Sequence, residues 1–212
     1  MDPRHSLLRA LEYEAIAGLE LTGRTLDVGG GATSSYYCLL MGSPAIESVN
    51  ISSDYKPTII AYLNNALPIA NNTYDDVLSL NTYEHVYNDS NALVESIRVL
   101  KSGGRFLFVV PFLYRVHGSP SDYHRHTHHY WVAKLMELGI DPYSLVVGPL
   151  LWDRVAFATS ILLGTGLALR ISMLWGIWKC RGVRAERLPP TKRSLVQLEY
   201  ALGYCMRGTK SA

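Results

Sequence analysis

Five of the chain's seven histidines fall between Tyr114 and Trp131, in the run YRVHGSPSDYHRHTHHYW. Histidine has an unperturbed pKa of about 6.5, so it can take or give a proton near neutrality. His117, five residues before Asp122, can act as a general base on an acceptor hydroxyl, with Asp122 orienting the ring or serving as base itself. The same pair can equally form a hydrogen bond that only stabilises the loop. His124, His126, His128 and His129 have a spacing that could face a metal, since alternate residues share one side of a strand. No adjacent cysteine or second carboxylate completes such a site, so no metal is expected. The second segment that can carry chemistry is LDVGGG, an apolar strand ending in Asp27-Val28-Gly29-Gly30-Gly31. Glycine has no Cβ and tolerates positive φ, so such a loop can cradle a nucleotide at the carboxyl edge of a sheet, or simply turn tightly.

These residues need elements to hold them. Leu7, Leu8, Leu11, Ile16 and Leu19 recur at helical spacing with Glu12 and Glu14 between them, which predicts an amphipathic helix over Ser6 to Leu21. RTLDV reads as a strand, SSYYCLLMG as a helix stopped by Gly42 and Pro44, and IESVNIS, DDVLSLNTY and GRFLFVVPF as three further strands. Helices are expected around Asn91–Leu100 and Tyr130–Leu138. Strands alternating with helices make a mostly parallel sheet covered on both faces. At 212 residues, the chain suits one α/β domain over residues 1–212 rather than two. Twenty basic against eighteen acidic side chains leave a net charge of +2, too little field to mark a nucleic-acid partner. Cys38, Cys180 and Cys205 are scattered without a C-x-x-C pair, which fits a reducing cytoplasm rather than a disulfide framework. The first residues lack the apolar core of a signal peptide, so no export is expected.

The order LDVGGG, LPIANNTYDDVLSLNTYEHV, ESIRVLKSGGRFLFVVP resembles the class I S-adenosylmethionine-dependent methyltransferases. That family carries a similar D-x-G-x-G loop, an L-P-F-x-x-x-x-F-D segment, an E-H-V and an R-V-L-K-P-G-G turn. LEYALGYCMRGTK is similar to its last strand, so the resemblance spans roughly Leu26 to Tyr143 and resumes near Leu198. It implies a Rossmann-like α/β fold, a mostly parallel seven-stranded sheet with helices on both faces and a hydrophobic helical insert before the last strand. It also implies S-adenosyl-L-methionine as cofactor. Asp27, Gly29 and Gly31 fall on positions that approach the methionine part of that ligand, with Gly30 where the family varies and Asn81 in the same binding set. Thr33 stands where a third glycine often occurs. GGGATS departs from the G-x-G-x-x-G of nicotinamide enzymes, with Ser34 at the third glycine.

Two departures bear on the cofactor. Asn50 occupies the place of the acidic residue that usually binds the ribose hydroxyls; it can offer one acceptor oxygen, with Asp54 four residues later as a substitute. Loss of that charge-assisted bond would cost roughly 1–3 kcal/mol. The family's adenine-contacting aspartate is replaced near Tyr62 or Leu63, and Tyr62 can stack on the adenine or simply pack. On the acceptor side, a subset of the family has a similar H-G-S-P-x-D-Y-x-R-x-T run, matched by His117, Gly118, Ser119, Pro120, Asp122, Tyr123, Arg125 and Thr127. That match implies a substrate-side loop, with His117 and Asp122 catalytic and Tyr123 and Arg125 binding substrate. Glu84 and His85 match E-H-V, where they hold the loop below the cofactor or touch substrate. The activity implied is in-line methyl transfer to an oxygen of a small-molecule, sugar or lipid-linked acceptor. The alternative is a non-catalytic relative that keeps the fold as an interaction scaffold, which Asn50 and the missing adenine aspartate leave open.

Residues 152–193 stand apart. VAFATSILLGTGLALRISMLWGIW is nearly continuous apolar sequence broken by Arg170, and its length approaches a membrane span. Trp152, Trp175 and Trp178 bracket it, and Lys179, Arg181, Arg184, Arg187, Lys192 and Arg193 follow against Glu186 alone. This pattern predicts peripheral contact with anionic lipid at the inner face of the membrane; packing on the domain or in a homodimer interface is the other reading.

Overall fold

The computed structural model describes residues 6–21, 23–42, 44–118, 120–150, 198–199 and 201–212. In chain order these form α1 (Leu7–Ile16), β1 (Glu20–Leu21), β2 (Arg24–Val28), a 3-10 turn (Ser35–Leu39), β3 (Met41–Gly42), β4 (Ala45–Asn50), β5 (Ile59–Ile60) and β6 (Tyr74–Leu80). There follow α2 (Asp89–Val99), β7 (Leu100–Pro111), α3 (His128–Glu137), β8 (Val146–Leu150) and β9 (Gly203–Thr209). The Ser6 hydroxyl accepts from the Arg9 amide and caps α1. Leu8, Glu12 and Ile16, four residues apart, form its buried stripe, so a carboxylate lies among apolar neighbours. Asn88 caps α2 by accepting from the Asn91 amide.

Seven strands form one sheet in the order β5-β4-β2-β6-β7-β9-β8, with a separate β1-β3 pair. The pairs from β5 through β7 are parallel, whereas β9 runs antiparallel to both β7 and β8. From β2 the chain builds outward through β4 and β5, then returns to place β6 on the other side of β2. Such a reversal opens a crevice at the carboxyl ends of the two central strands, where α/β sheets bind ligands. On one face Leu26, Val28, Val77, Phe106 and Phe108 pack with Leu93 and Ile97 of α2 and Trp131 and Leu135 of α3. On the other, Leu78, Leu80, Leu107 and Val109 meet Leu8 and Ile16 of α1.

The predicted helix over SSYYCLLMG is instead the 3-10 turn and β3. Gly31 and Ser34 bond each other twice, the Gly31 amide donating to Ser34 Oγ and the Ser34 amide to the Gly31 carbonyl. By Met41 the chain must already run beside β1. Too few residues remain for an α-helix of useful length. The sheet, with helices from both faces, is the expected seven-stranded arrangement. The predicted insert at 152–193 lies outside the described residues; among those described, no helix is long and apolar enough to cross a membrane.

Candidate active site

β2 ends at Val28, and Gly29 turns the chain at φ +88° while its amide donates to the Val49 carbonyl at 2.8 Å. A Cβ on Gly29 would lie 2.0 Å from Thr82 Oγ1, a hydroxyl that donates to the Val28 carbonyl at 3.0 Å. The loop is thus clamped to the turn that follows β6. Cβ atoms on Gly30 and Gly31 would run into the Asp27 carboxylate and the Tyr55 carbonyl. The three glycines are required first by the protein's own close packing.

Asp27 is fully buried and accepts from the hydroxyls of Tyr36 and Tyr37, the latter at 2.8 Å. Burial pushes its pKa up to about 6, against the two tyrosine hydrogen bonds. Asn50 does not point to a ribose position. Its Nδ2 donates to the carbonyls of Gly29 at 2.7 Å and Gly30 at 3.2 Å, and its Oδ1 accepts from the Ser52 amide. Asp54 is exposed on a short 3-10 turn beside the loop, and Tyr62 is half-exposed. Asn81, at φ +50°, closes β6; its amide donates to the Val109 carbonyl and its Nδ2 to Glu12 Oε1 at 2.8 Å.

Two buried acceptor atoms there, Asp27 Oδ1 and Asn81 Oδ1, have no hydrogen-bond partner among the described residues. They sit toward the carboxyl ends of β2 and β6, so a donor-rich cation such as the amino-acid end of S-adenosylmethionine fits the set.

Two residues beyond Thr82, the side chain of Glu84 is 2% exposed, and neither carboxylate oxygen has a hydrogen-bond partner among the described residues. Burial pushes its pKa up to about 8. His85 Nε2 lies 3.6 Å and His117 Nε2 3.9 Å from Glu84 Oε1. Both rings are fixed from behind. His85 Nδ1 is 2.5 Å from the Ser121 carbonyl, and His117 Nδ1 is 3.1 Å from Asp122 Oδ2 and 3.3 Å from the Arg115 carbonyl. With Nδ1 donating to these acceptors each ring presents an Nε2 lone pair toward Glu84; Arg125 Nη2, 3.4 Å from His117 Nδ1, bonds Asp122 more closely. Asp122, in turn, accepts from the His117 amide at 2.9 Å and from both terminal nitrogens of Arg125. Its burial opposes ionisation, but these partners outweigh it and hold the carboxyl below the usual carboxylate range.

The structure therefore brings His117 and Asp122 together and adds Glu84 and His85, which the sequence reading kept to a supporting role. Arg125, expected to bind substrate, spends its guanidinium on Asp122 and the His124 carbonyl. Tyr123 has its amide on the Glu84 carbonyl at 2.7 Å and a half-exposed ring packed edge-on against Tyr87. Two of the remaining histidines fasten the loop. His126 Nε2 is 2.7 Å from Asp89 Oδ2 and its ring stacks on Tyr130, while His124 Nε2 meets the Tyr87 carbonyl at 2.9 Å. Glu12 was legible only as an acid in an apolar helical stripe, whereas Glu84 was legible as the acid of the E-H-V match but not as a buried partner of His117.

Residues 26–108 match the family profile described as a methyltransferase domain. No curated protein matches the chain by sequence. Among solved structures, the chain is similar to the candidate methyltransferase complexed with the Haloferax volcanii Trm112 methyltransferase activator, at 14% identity and TM-score 0.59 over 97% of this chain and 90% of that one. It is also similar to Haemonchus contortus phosphoethanolamine N-methyltransferase 2, solved with S-adenosyl-L-methionine, at 13% identity and TM-score 0.56; 95% of this chain covers 52% of that longer one. A third likeness is to an S-adenosylmethionine-dependent methyltransferase from Aquifex aeolicus, at 17% identity and TM-score 0.51 over 70% of this chain and 88% of that one. The stretch from β2 into β7 that bears the cofactor loop thus matches a methyltransferase domain, and the chain as a whole has the Rossmann-like fold of solved methyltransferases.

Proposed function

We propose that this chain transfers a methyl group from S-adenosylmethionine to the hydroxyl oxygen of a small-molecule, sugar or lipid-linked acceptor. The observation that carries this reading is the convergence of His117, His85 and Glu84 two residues from the Thr82 side chain that abuts the glycine loop. When bound, the cofactor supplies an electrophilic methyl on a sulfonium. The residues near Asp27, Gly29 and Asn81 would hold its amino-acid end, and Asn50 shapes the loop beneath it.

A hydroxyl is a poor nucleophile until its proton is taken, and a ring nitrogen with a free lone pair is suited to take it. Asp122 holds the His117 ring with its Nε2 toward the crevice and stabilises the imidazolium that forms. Bound S-adenosylmethionine would supply the methyl carbon to that oxygen, and His117 would hold the proton the oxygen gives up. Positioning supplies much of the remaining rate. The purified full chain, given methyl-labelled cofactor and a panel of hydroxylated acceptors, should label one class, and His117→Ala should lower turnover about a hundredfold or more with cofactor affinity unchanged. Unchanged turnover in that variant would remove His117 from the reaction.

A further inference from the structure

We propose that Glu84, His85 and His117 form a binding site for a divalent transition-metal cation of the zinc type. The inference deepens the reading above, since it concerns the same acceptor side of the crevice. The three side chains come from the turn after β6 and the loop after β7, and their ligand atoms lie within 4.8 Å of one another. Two observations point to a cation rather than to a hydrogen-bonded cluster.

The first is spacing. Glu84 Oε1 is 3.6 Å from His85 Nε2 and 3.9 Å from His117 Nε2. Hydrogen bonds between such atoms need about 2.7–3.2 Å. Ligands about 2.0–2.2 Å from a tetrahedral metal sit roughly 3.4 Å apart. The separations are long for the former and close to the edge of a coordination shell. The second is saturation. Both Nδ1 atoms are occupied from behind, by the Ser121 carbonyl and by Asp122, whereas both oxygens of the buried Glu84 carboxyl have no hydrogen-bond partner among the described residues. A carbonyl and a carboxylate behind two imidazoles are the outer partners that fix metal-ligating histidines in one tautomer. Two nitrogens and one carboxylate make a donor set of intermediate softness, which suits zinc better than magnesium.

The nearby trio of Asp89, His124 and His126 offers a contrast. There His126 Nε2 already bonds Asp89 Oδ2 at 2.7 Å and His124 Nε2 the Tyr87 carbonyl at 2.9 Å, so the facing lone pairs are spent.

Three protein ligands leave a coordination position for an acceptor hydroxyl. With a cation in place, activation shifts from proton capture by His117 to ionisation of the coordinated hydroxyl. Its proton passes to water, and the oxygen then forms the bond to carbon as the carbon–sulfur bond breaks.

The test uses the full chain, stripped of metal and titrated with zinc(II) by calorimetry, with cobalt(II) absorption as a second readout of coordination geometry. One ion per chain is expected. Glu84→Gln, His85→Gln and His117→Gln should each weaken binding at least tenfold, and Asp122→Asn by about ten- to a hundredfold through the His117 ring. His126→Gln should leave it unchanged, and circular dichroism confirms that each variant is folded. Absence of stoichiometric binding, binding that survives His117→Gln, or binding lost in His126→Gln instead would overturn the site. If zinc binds as expected but no acceptor is methylated under any condition, the site stands and the hydroxyl-methylation reading fails. If methylation depends on His117 yet no ion binds, that reading stands and the metal site fails.

Discussion

Asp27 is a carboxylate held where burial disfavours its charge, with a folded-state pKa of about 6 against an ordinary value of 3.8. The folded protein therefore binds this proton more tightly than the unfolded chain does. Ionised Asp27 costs stability at every pH above 6, and the cost is relieved as pH falls from 6 toward 4; two units correspond to roughly 3 kcal/mol. Glu84 is raised as well, so the comparison must be made against Asp27→Asn, whose Oδ1 can still accept from a tyrosine hydroxyl. Denaturant titrations should show the cofactor-free protein gaining stability from pH 7 to pH 5 by about 1 kcal/mol more than the variant does. An equal or smaller gain in the native protein would mean Asp27 is not the strained charge. Asn50 reverses an expectation at the same scale. Its position in the chain suggested a weakened ribose ligand, which predicts that Asn50→Asp restores affinity. The structure has its Nδ2 donating to two loop carbonyls, and a carboxylate there would face both with lone pairs. Asn50→Asp should instead weaken binding of S-adenosylhomocysteine tenfold or more in calorimetry and cost roughly 1–3 kcal/mol of stability. Residue type and position identify the site but not which way an amide points, because that depends on the path of a loop twenty residues away.

Elements resolve into two kinds of glycine turn. Gly29 and Gly103 both have positive φ, at +88° and +73°, yet a Cβ on Gly103 meets nothing within 4 Å while one on Gly29 strikes Thr82. Gly103→Ala should cost only the backbone strain, about 1–2 kcal/mol, and leave cofactor affinity unchanged. Gly29→Ala should cost more and lower affinity at least tenfold, because the loop and the turn after β6 can no longer hold each other. Equal effects in thermal denaturation would show that strain, not packing, governs both. The apolar runs of β6 and β7 were legible because burial on both faces leaves few polar breaks. β8 is less so: Gly148 and Pro149 interrupt it, and the strand survives because it lies at the sheet edge, where a missing donor is tolerated. The helix read over SSYYCLLMG failed for a longer-range reason. Adjacent Tyr36 and Tyr37 both reach Asp27, and β3 must lie beside β1, constraints that no local periodicity records.

Across the whole molecule, the sheet order gives the apolar and basic segment a defined origin. Leu150 pairs with Gly203, and Gly203 with Pro111, so β8 ends and β9 begins at the edge where β7 delivers the chain into the histidine loop. Leu150 and Gly203, the strand residues on either side of that segment, thus lie on the side of the crevice. The segment's sequence carries six basic residues after tryptophan-bracketed apolar residues. Each cation near an anionic surface contributes on the order of 1 kcal/mol, and that part is screened by salt, whereas apolar insertion is not. The full chain should therefore float with vesicles containing anionic lipid, less at high salt but not to zero, and replacing Lys179, Arg181, Arg184, Arg187, Lys192 and Arg193 by glutamine should leave only the salt-insensitive part. A chain that stays monodisperse without detergent and ignores anionic vesicles would assign the segment to packing within or between copies. An acceptor anchored in lipid would then lose its main support, while a freely diffusing one would remain, because Glu84, His85 and His117, the residues proposed to activate the hydroxyl, lie in the turn after β6 and the loop after β7, outside that segment.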